Sequence, residues 1–293
     1  MKSLLYRFLF SVLYLISMIP LKLLYGFSEV LYFVIYYIVG YRKQIVYENL
    51  RKSFPEKPEE DILKIRKKFY RNFADYLVET LKSFSISQQE LDRRHTYSNL
   101  EVFDECKKEG KNVIMITGHV FNWEWYIGLV KYLPTQKTYA LYHKVKNEFW
   151  NDRVSAIREK FGTNTLDMHK SVRFMLVAPQ DGEQTYLFVA DQSPQRDEIR
   201  HSIRFLNQET PVYLGFDKIA AKKNMAVVFC KTVKKSQGHY HTEFERIRPK
   251  NRNFEPHEVL NEFFSRLENQ IIEHPDNWLW SHRRWKNAKG EHY

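Results

Sequence analysis

Apolar positions recur at helical spacing in some segments and form short runs in others. These two patterns predict a succession of helices and strands. Over residues 59–82, apolar side chains recur every three or four positions, which is typical of an amphipathic helix. Short apolar runs at 111–117 and 185–190 are typical of buried strands. The same criteria predict further helices at 122–131, 148–161, 172–178, 212–223 and 257–272, and further strands at 138–142, 226–233 and 240–247.

Strands and helices are thus predicted to alternate between residues 110 and 250, which favours a sheet of mainly parallel strands. The last two strands flank the turn sequence SQGH and are expected to form a hairpin or to lie side by side. Gly118 and Gly128 fit neither of the glycine-rich phosphate-binding patterns. We therefore predict an α/β fold with a mostly parallel central sheet covered by helices.

The N-terminal segment is the most apolar part of the chain. Residues 8–21 and 30–41 carry no charge, and Lys22 and Glu29 separate the two runs. Neither run reaches the ~20 apolar residues of a clean membrane-spanning helix. A cleaved signal peptide lacks support because no small-residue cleavage site follows, and a buried core hairpin remains an alternative.

We predict that residues 1–41 form a membrane anchor and that residues 42–293 form one larger domain. A helix over about residues 4–19 would reach into or across the bilayer and would end at Pro20. The second apolar run is rich in Tyr and Phe, so it suits an interfacial helix or a helix packed on the domain.

The chain has 293 residues and a formal net charge of +11, which suits an anionic partner such as a membrane surface, a nucleic acid or a phosphorylated ligand. Basic residues cluster between residues 42 and 71, directly after the apolar segment. The positive-inside rule therefore places the larger domain on the cytoplasmic side, with these cations near lipid headgroups. Cys106 and Cys230 lack metal-binding spacing and are predicted to be reduced structural thiols.

The segment ITGHVFNWEW at 116–125 contains the main candidate for chemistry. His119 follows a predicted strand, and in open α/β sheets reactive groups gather at the carboxyl ends of strands. Glu124 would lie in the first turn of the next helix. Five positions of one continuous helix differ by about 140°, so the two side chains can meet only if His119 precedes the helix. A carboxylate on one ring nitrogen would then make the other nitrogen a general base.

Two other interpretations of this pair are open. His119 could be a helix-capping or core histidine, with Glu124 an ordinary first-turn acid. Zinc binding is the second, although the spacing differs from HExxH, and we expect neither a metal nor a cofactor. No serine or cysteine lies nearby as an obvious nucleophile, which favours direct attack by a substrate hydroxyl in an acyl transfer without a covalent acyl-enzyme.

Several segments carry a family resemblance. TGHVFNWEW resembles the HxxxxD/E box of the glycerolipid and lysophospholipid acyltransferase superfamily, in the GH-x-x-N-W-E form of the late acyltransferases of lipid A biosynthesis. Segments that resemble other blocks of that family, in the same order, are YENLRKSFPEKPEEDILKI (47–65), YHKVKNEFWNDRVSAIREKFG (142–162), VADQSP (189–194), FLNQETP (205–211) and WLWSHRRWK (278–286).

The resemblance implies a glycerolipid acyltransferase-like fold with residues 42–293 as the catalytic domain. It also implies an enzyme of the inner membrane, facing the cytoplasm, that moves a fatty acyl chain from acyl carrier protein to a hydroxyl of an anionic glycolipid, the lipid A precursor. By position, His119 would be the base and Glu124 its partner. Arg158 would stabilise oxyanion charge or hold a phosphate, and Asp191 would orient Arg158 or the base. Without the resemblance, Arg158 would be interpreted as a charged residue on a helix surface, and Asp191 as a turn residue at the end of a strand.

Further candidates for substrate binding come from the same blocks. The tail cations would contact headgroup phosphates or the carrier, and a solvated charge run is the alternative. The substrate-binding candidates are Asn122, Trp123, His143, Asn147, Gln192, Arg283 and Arg284.

The chain also departs from the family pattern. His143 and Lys144 replace an Arg-Pro pair, Glu148 replaces Pro, Asn151 stands where Asp is usual, and Asn207 replaces Gly. These changes leave open another acceptor, such as a different sugar lipid, a lysophospholipid or an amino-acid lipid. A non-enzymatic basic protein that binds lipid surfaces or nucleic acid is a third hypothesis. The anchor and the lack of a nucleic-acid motif argue against nucleic acid.

Overall fold

A computed structural model describes residues 2–251 and 253–288 of the chain. The α-helices are α1 (Lys2–Ser17), α2 (Leu21–Phe33), α3 (Lys43–Ser53), α4 (Glu59–Lys82), α5 (Gln88–Arg94), α6 (Glu101–Lys108), α7 (Glu148–Glu159), α8 (Met168–Val177), α9 (Gly215–Lys223) and α10 (Glu258–Glu273). A π-helical segment (Val34–Val39) continues α2, and 3₁₀ helices span Trp123–Tyr132 and Arg196–Glu198.

The strands form one large sheet and one small hairpin. They are β1 (His95–Ser98), β2 (Val113–Thr117), β3 (Lys137–Tyr142), β4 (Thr163–Asp167), β5 (Gln184–Val189), β6 (Ser202–Phe205), β7 (Gln208–Pro211), β8 (Ala226–Ser236) and β9 (His239–Ile247). The sheet has seven strands in the order β1-β9-β8-β2-β5-β3-β4, and β6 pairs with β7 separately. Every neighbouring pair in the large sheet is parallel except the β8–β9 hairpin. The predicted α/β fold with a mostly parallel, helix-covered sheet is confirmed.

The elements that periodicity predicted are present, with shifted ends. The segment after residue 122 is a 3₁₀ helix rather than an α-helix. Periodicity did not predict β1 and β4, which lie at the two edges of the sheet. These strands have four and five residues and are largely half-buried or exposed, so they need no continuous apolar run. The short helices α3, α5 and α6 and the β6–β7 hairpin were also not predicted.

Helix α2 and the π-helical segment that continues it pack on the domain through one face. Their buried positions recur every three or four residues and face α4. Ser28 Oγ donates to Asp75 Oδ1 at 2.8 Å, and Tyr25 Oη donates to Glu79 Oε1 at 2.9 Å. Among the described residues, one helical stretch, Leu21–Val39, is long and apolar enough to cross a membrane by length and composition.

The C-terminal tail is part of the hydrophobic core. Trp278, Trp280 and Trp285 are buried, and the Trp278 and Trp280 rings meet edge to face at 4.7 Å. Cys106 and Cys230 are buried and unpaired. Burial raises the pKa of the Cys106 thiol to about 11 and raises that of Cys230 further, so both stay protonated at neutral pH.

Gly238, in the turn between β8 and β9, is expected to be intolerant of a side chain. It has φ of +67°, and a Cβ there would lie 1.9 Å from Tyr25 Oη, which is held by Glu79. Gly110 has a similar φ of +66° but no atom within 4 Å, so it is a matched control. Both Gly→Ala changes pay the left-handed penalty of roughly 1–2 kcal/mol. Only Gly238→Ala also displaces a buried hydrogen bond, at about 1–3 kcal/mol.

Thermal unfolding of the two purified variants should therefore show a larger loss of Tm for Gly238→Ala than for Gly110→Ala. Equal losses would contradict the close contact between this turn and α2.

Candidate active site

The parallel pairing of β2 with β5 brings two segments of the chain together at one edge of the sheet. Thr117 and Val189 are partners in the register, and the Ala190 amide donates to the Thr117 carbonyl at 2.9 Å. His119 and Asp191 each follow two residues beyond their partnered position. The register therefore places the two side chains next to each other at the carboxyl ends of adjacent strands.

Asp191 holds His119 at two points. His119 Nδ1 and Asp191 Oδ1 are 2.5 Å apart, and the His119 amide donates to Asp191 Oδ2 at 2.9 Å. On the other side of the ring, Gln192 Nε2 lies 2.9 Å from His119 Nε2. A neutral ring with its proton on Nδ1 satisfies both contacts, because it donates to the carboxylate and accepts from the amide. Nε2 is then the unprotonated nitrogen, and its lone pair becomes available for chemistry when Gln192 is displaced.

Asp191 is buried but ionised. Burial opposes its negative charge, but the adjacent His119 and hydrogen bonds from His119 and Trp278 lower the pKa of Asp191 to about 2. Trp278 Nε1 donates to Asp191 Oδ2 at 2.6 Å. An unpaired aspartate has a pKa of about 3.9. The ionised Asp191 therefore stabilises the fold above about pH 4, and this contribution is lost as the pH falls towards 2.

Glu124 pairs with Arg158 rather than with His119. Arg158 Nη2 donates to Glu124 Oε1 at 2.9 Å, and Nε lies 3.3 Å from Oε2. The predicted contact between Glu124 and His119 is therefore corrected. Asn122 Oδ1 accepts from the Glu124 amide at 3.1 Å and caps the 3₁₀ helix, and this helix directs Glu124 towards α7. Sequence spacing alone did not reveal Asp191 as the histidine's carboxylate.

The histidine and its carboxylate are closely packed. The His119 ring meets the Trp123 ring edge to face at 4.9 Å, and Trp123 in turn lies 4.4 Å from the Tyr76 ring. At Gly118, an added Cβ would lie 2.7 Å from Leu267 Cδ1 and 3.1 Å from Asp191 Oδ2. A side chain at position 118 would therefore displace Leu267 and press on the carboxylate that orients His119.

A cavity of about 500 Å³ opens beside this group. His119, Glu124, Arg158 and Gln192 are among its polar lining residues, and four residues of β3 also line it. The rest of the lining is mainly apolar and includes Met115, Leu129, Val130, Leu133, Leu141 and Leu187. A cavity of this composition suits an alkyl chain.

The comparison with known families decides what this arrangement belongs to. The family model described as bacterial lipid A biosynthesis acyltransferase matches residues 3–287, which is nearly the whole chain. The chain belongs to this family. No individual protein of curated function matches it. The protein is thus an acyltransferase of lipid A biosynthesis, and the family that its motifs resemble is confirmed.

Other predicted site residues lie at different places in the acyltransferase. His143 lines the cavity, with its ring 5.4 Å from that of His169. Asn147 instead caps α7 by accepting from the Trp150 amide at 3.2 Å. His169 was missed from the sequence because it lies in α8, within none of the motif segments.

The two tail arginines have different surroundings. Arg283 is exposed. Arg284 is buried: its Nη2 donates to the Pro211 carbonyl at 2.8 Å, and burial lowers the pKa of its guanidinium to about 10. A role for Arg284 at an exposed headgroup is therefore corrected, because the packed tail tryptophans carry it into the core. Among residues 2–251 and 253–288, no group of three or more His, Cys, Asp or Glu side chains is placed to hold a metal ion.

Replacing Asp191 by Asn is expected to lower acyltransferase activity on the order of 10²- to 10⁴-fold, because the ring loses the carboxylate that fixes its tautomer. Glu124→Gln should lower activity less, because the contact at His119 Nδ1 stays intact. Steady-state rates of both purified variants, with thermal unfolding as a check on folding, measure the difference. An equal or greater loss in Glu124→Gln would contradict the assignment of the larger orienting role to Asp191.

Proposed function

We propose that the enzyme transfers a fatty acyl chain from acyl carrier protein to a hydroxyl of a lipid A precursor, with His119 as general base. The observation that carries this proposal is the His119–Asp191 pair, whose histidine lines a mainly apolar cavity. The family membership supports lipid A biosynthesis as the pathway.

The proposed chemistry uses one addition and one elimination. The acceptor hydroxyl gives its proton to His119 Nε2 while its oxygen attacks the carbonyl carbon of the acyl thioester. The C–S bond then breaks, and the departing sulfur takes the proton from the histidine. Gln192 occupies Nε2 in this structure, so the acceptor hydroxyl would displace it. In the part of the chain that the structure describes, the His119 ring hydrogen-bonds to no serine or cysteine, which supports direct transfer.

We infer that Arg158 stabilises the negative charge that develops on the carbonyl oxygen. It lines the same cavity as His119, and its guanidinium is held by Glu124 on one side. A fixed cation in a largely water-excluded site stabilises an oxyanion without reorganisation. In this scheme Glu124 positions Arg158, and Asp191 positions the base.

The membrane-facing part of the proposal rests on the N-terminal helices. The faces of α1 and α2 that turn away from the domain expose large apolar side chains, among them Leu4, Phe8, Leu15, Leu23, Phe27 and Val30. We infer that residues 1–41 anchor the enzyme on the inner membrane, with residues 42–293 as the catalytic domain in the cytoplasm. We favour an interfacial position for α2, because crossing the bilayer would break its hydrogen bonds to Asp75 and Glu79.

The cations on the rim of the cavity are evidence for an acidic protein as the acyl donor. The lining residues His143, His169 and Gly215 lie in the segment before α7, in α8 and in α9. These elements also present exposed cations that form no ion pair within the described part of the chain: Lys144, Lys146, Lys170, Arg173, Lys218 and Lys222. Unpaired cations around an entrance attract an acidic carrier and raise its rate of association.

One cavity residue differs from the family pattern at a position that bears on the acceptor. His143 lines the cavity at a position where the family has Arg, so the headgroup contact differs from the family pattern. A lysophospholipid or an amino-acid lipid is the alternative acceptor for the same chemistry.

A strain without the gene is expected to lose one acyl chain from its lipid A. Wild-type protein should restore the chain, and His119→Ala should not, because the base is missing. His239→Ala, an exposed histidine on the β8–β9 hairpin, is the control and should restore it. Mass spectrometry of extracted lipids gives the readout. Unchanged lipid A together with loss of another acylated lipid would move the proposal to that acceptor.

Reversing charge on the rim with Lys170→Glu and Arg173→Glu is expected to raise the KM for acyl carrier protein on the order of tenfold, with kcat little changed. Lys108→Glu, at the end of α6 and so near the amino end of β2, is the matched control. The effect should disappear with an acyl-pantetheine donor, which lacks the acidic protein. The same rise with the small donor would contradict docking of a carrier on this rim.

A further inference from the structure

Glu79 of α4 is a fully buried carboxylate at the junction of three elements. Tyr25 Oη of α2 donates to its Oε1 at 2.9 Å. Asn122 Nδ2, from the segment after β2, and Tyr240 Oη, from β9, each donate to Oε2 at 2.8 Å. The acyl-transfer chemistry described above does not use this group.

A buried carboxylate is expensive for the fold. Burial raises the pKa of Glu79 to about 7, even though Lys234 and the hydrogen bonds favour the ionised form. An apolar side chain of similar size would avoid this desolvation penalty. The carboxylate is, however, well suited to receive hydrogen bonds from three donors at once, because its two oxygens accept several.

The contact with Asn122 connects Glu79 to the reacting groups. Asn122 is buried; its Nδ2 donates to Glu79 and its Oδ1 accepts from the Glu124 amide at 3.1 Å. Trp123, between Asn122 and Glu124, packs against the His119 ring at 4.9 Å. The orientation of the Asn122 amide thus sets where the 3₁₀ helix begins and where Trp123 and Glu124 point.

We propose that Glu79 is a positioning residue for acyl transfer: it holds Asn122, and through Asn122 it fixes Trp123 and Glu124, in a position that also depends on the docking of α2. This inference rests on the proposed function, since it gives these residues their roles in the reaction. It assigns Asn122, which sequence motifs placed among the substrate-binding residues, to the support of the site.

Asp75 provides a matched control on the same helix. It lies one turn before Glu79, is buried, and accepts from Ser28 Oγ of α2 and from Gln237 Nε2, each at 2.8 Å, and from Lys234 Nζ at 2.9 Å. It therefore ties α2 to the domain much as Glu79 does, but none of these hydrogen bonds goes to Asn122.

The first experiment compares Glu79→Gln with Asp75→Asn in the full-length membrane enzyme. A glutamine keeps the size of the side chain but presents an amide in place of one acceptor oxygen. Glu79→Gln is expected to lower kcat on the order of 10- to 100-fold with little change in the KM for the donor, because the reacting groups are misplaced. Asp75→Asn should lower the Tm but leave kcat near the wild-type value. Equal losses of kcat in the two variants would overturn the proposal.

The second experiment exchanges the two partners. Asn122→Asp alone places two carboxylates against each other and should lower kcat. Combining Asn122→Asp with Glu79→Gln restores one donor and one acceptor, and Asp at position 122 can still cap the Glu124 amide. The combined variant should recover most of the lost kcat, which a general loss of stability would not allow. The proposal would be overturned if the kcat of the combined variant did not exceed that of the less active single variant.

These outcomes are separable from failure of the proposed function. If wild-type enzyme transfers no acyl chain from the carrier, or if His119→Ala is fully active, the proposed chemistry fails. If wild-type is active and His119→Ala is not, the Glu79 variants alone decide the positioning role.

Discussion

The hydrogen bond between His119 Nδ1 and Asp191 Oδ1 depends on the parallel register of β2 and β5, and most of the site follows from it. Both side chains leave the sheet two residues beyond a partnered pair, so the backbone pairing sets their separation. The absence of a side chain at Gly118 lets the carboxylate approach. Trp278, from the far end of the chain, completes its hydrogen bonds. The strand register, the close packing at Gly118 and the C-terminal tail thus all fix the position of the ionised Asp191 side chain.

The site is built in two parts that meet in the cavity. One part is His119, the proposed base, which Asp191 holds at Nδ1. The other is the Glu124–Arg158 pair, held by the cap at Asn122 and by α7. The first part is supported by the sheet, which is rigid because β2 is buried along its whole length. The second part is supported by a polar network that also includes α2, so the position of Arg158 is linked to the helix with the exposed apolar face.

The contrast between the two buried carboxylates shows how surroundings divide their roles. Asp191 has a histidine partner and amide and indole donors, which lower its pKa to about 2. Glu79 has phenol and amide donors with a cation only at a distance, and burial raises its pKa to about 7. The first therefore provides a fixed negative charge to the His119 ring. The second provides a point of attachment for three segments of the chain.

The sequence by itself determined the α/β class, the buried strands β2 and β5, the helix α4 and the family. Hydrophobic patterns and motifs can be read from residues that are close together in the sequence. The sequence also placed His119 at a strand end. It paired His119 with the nearest acid, Glu124, and left Asp191 with two roles. Only the tertiary structure decided this, since the register of β2 with β5 joins residues 72 positions apart. Likewise, motif position suggested contact with substrate for Asn122 and Arg284, whereas long-range packing buried both side chains.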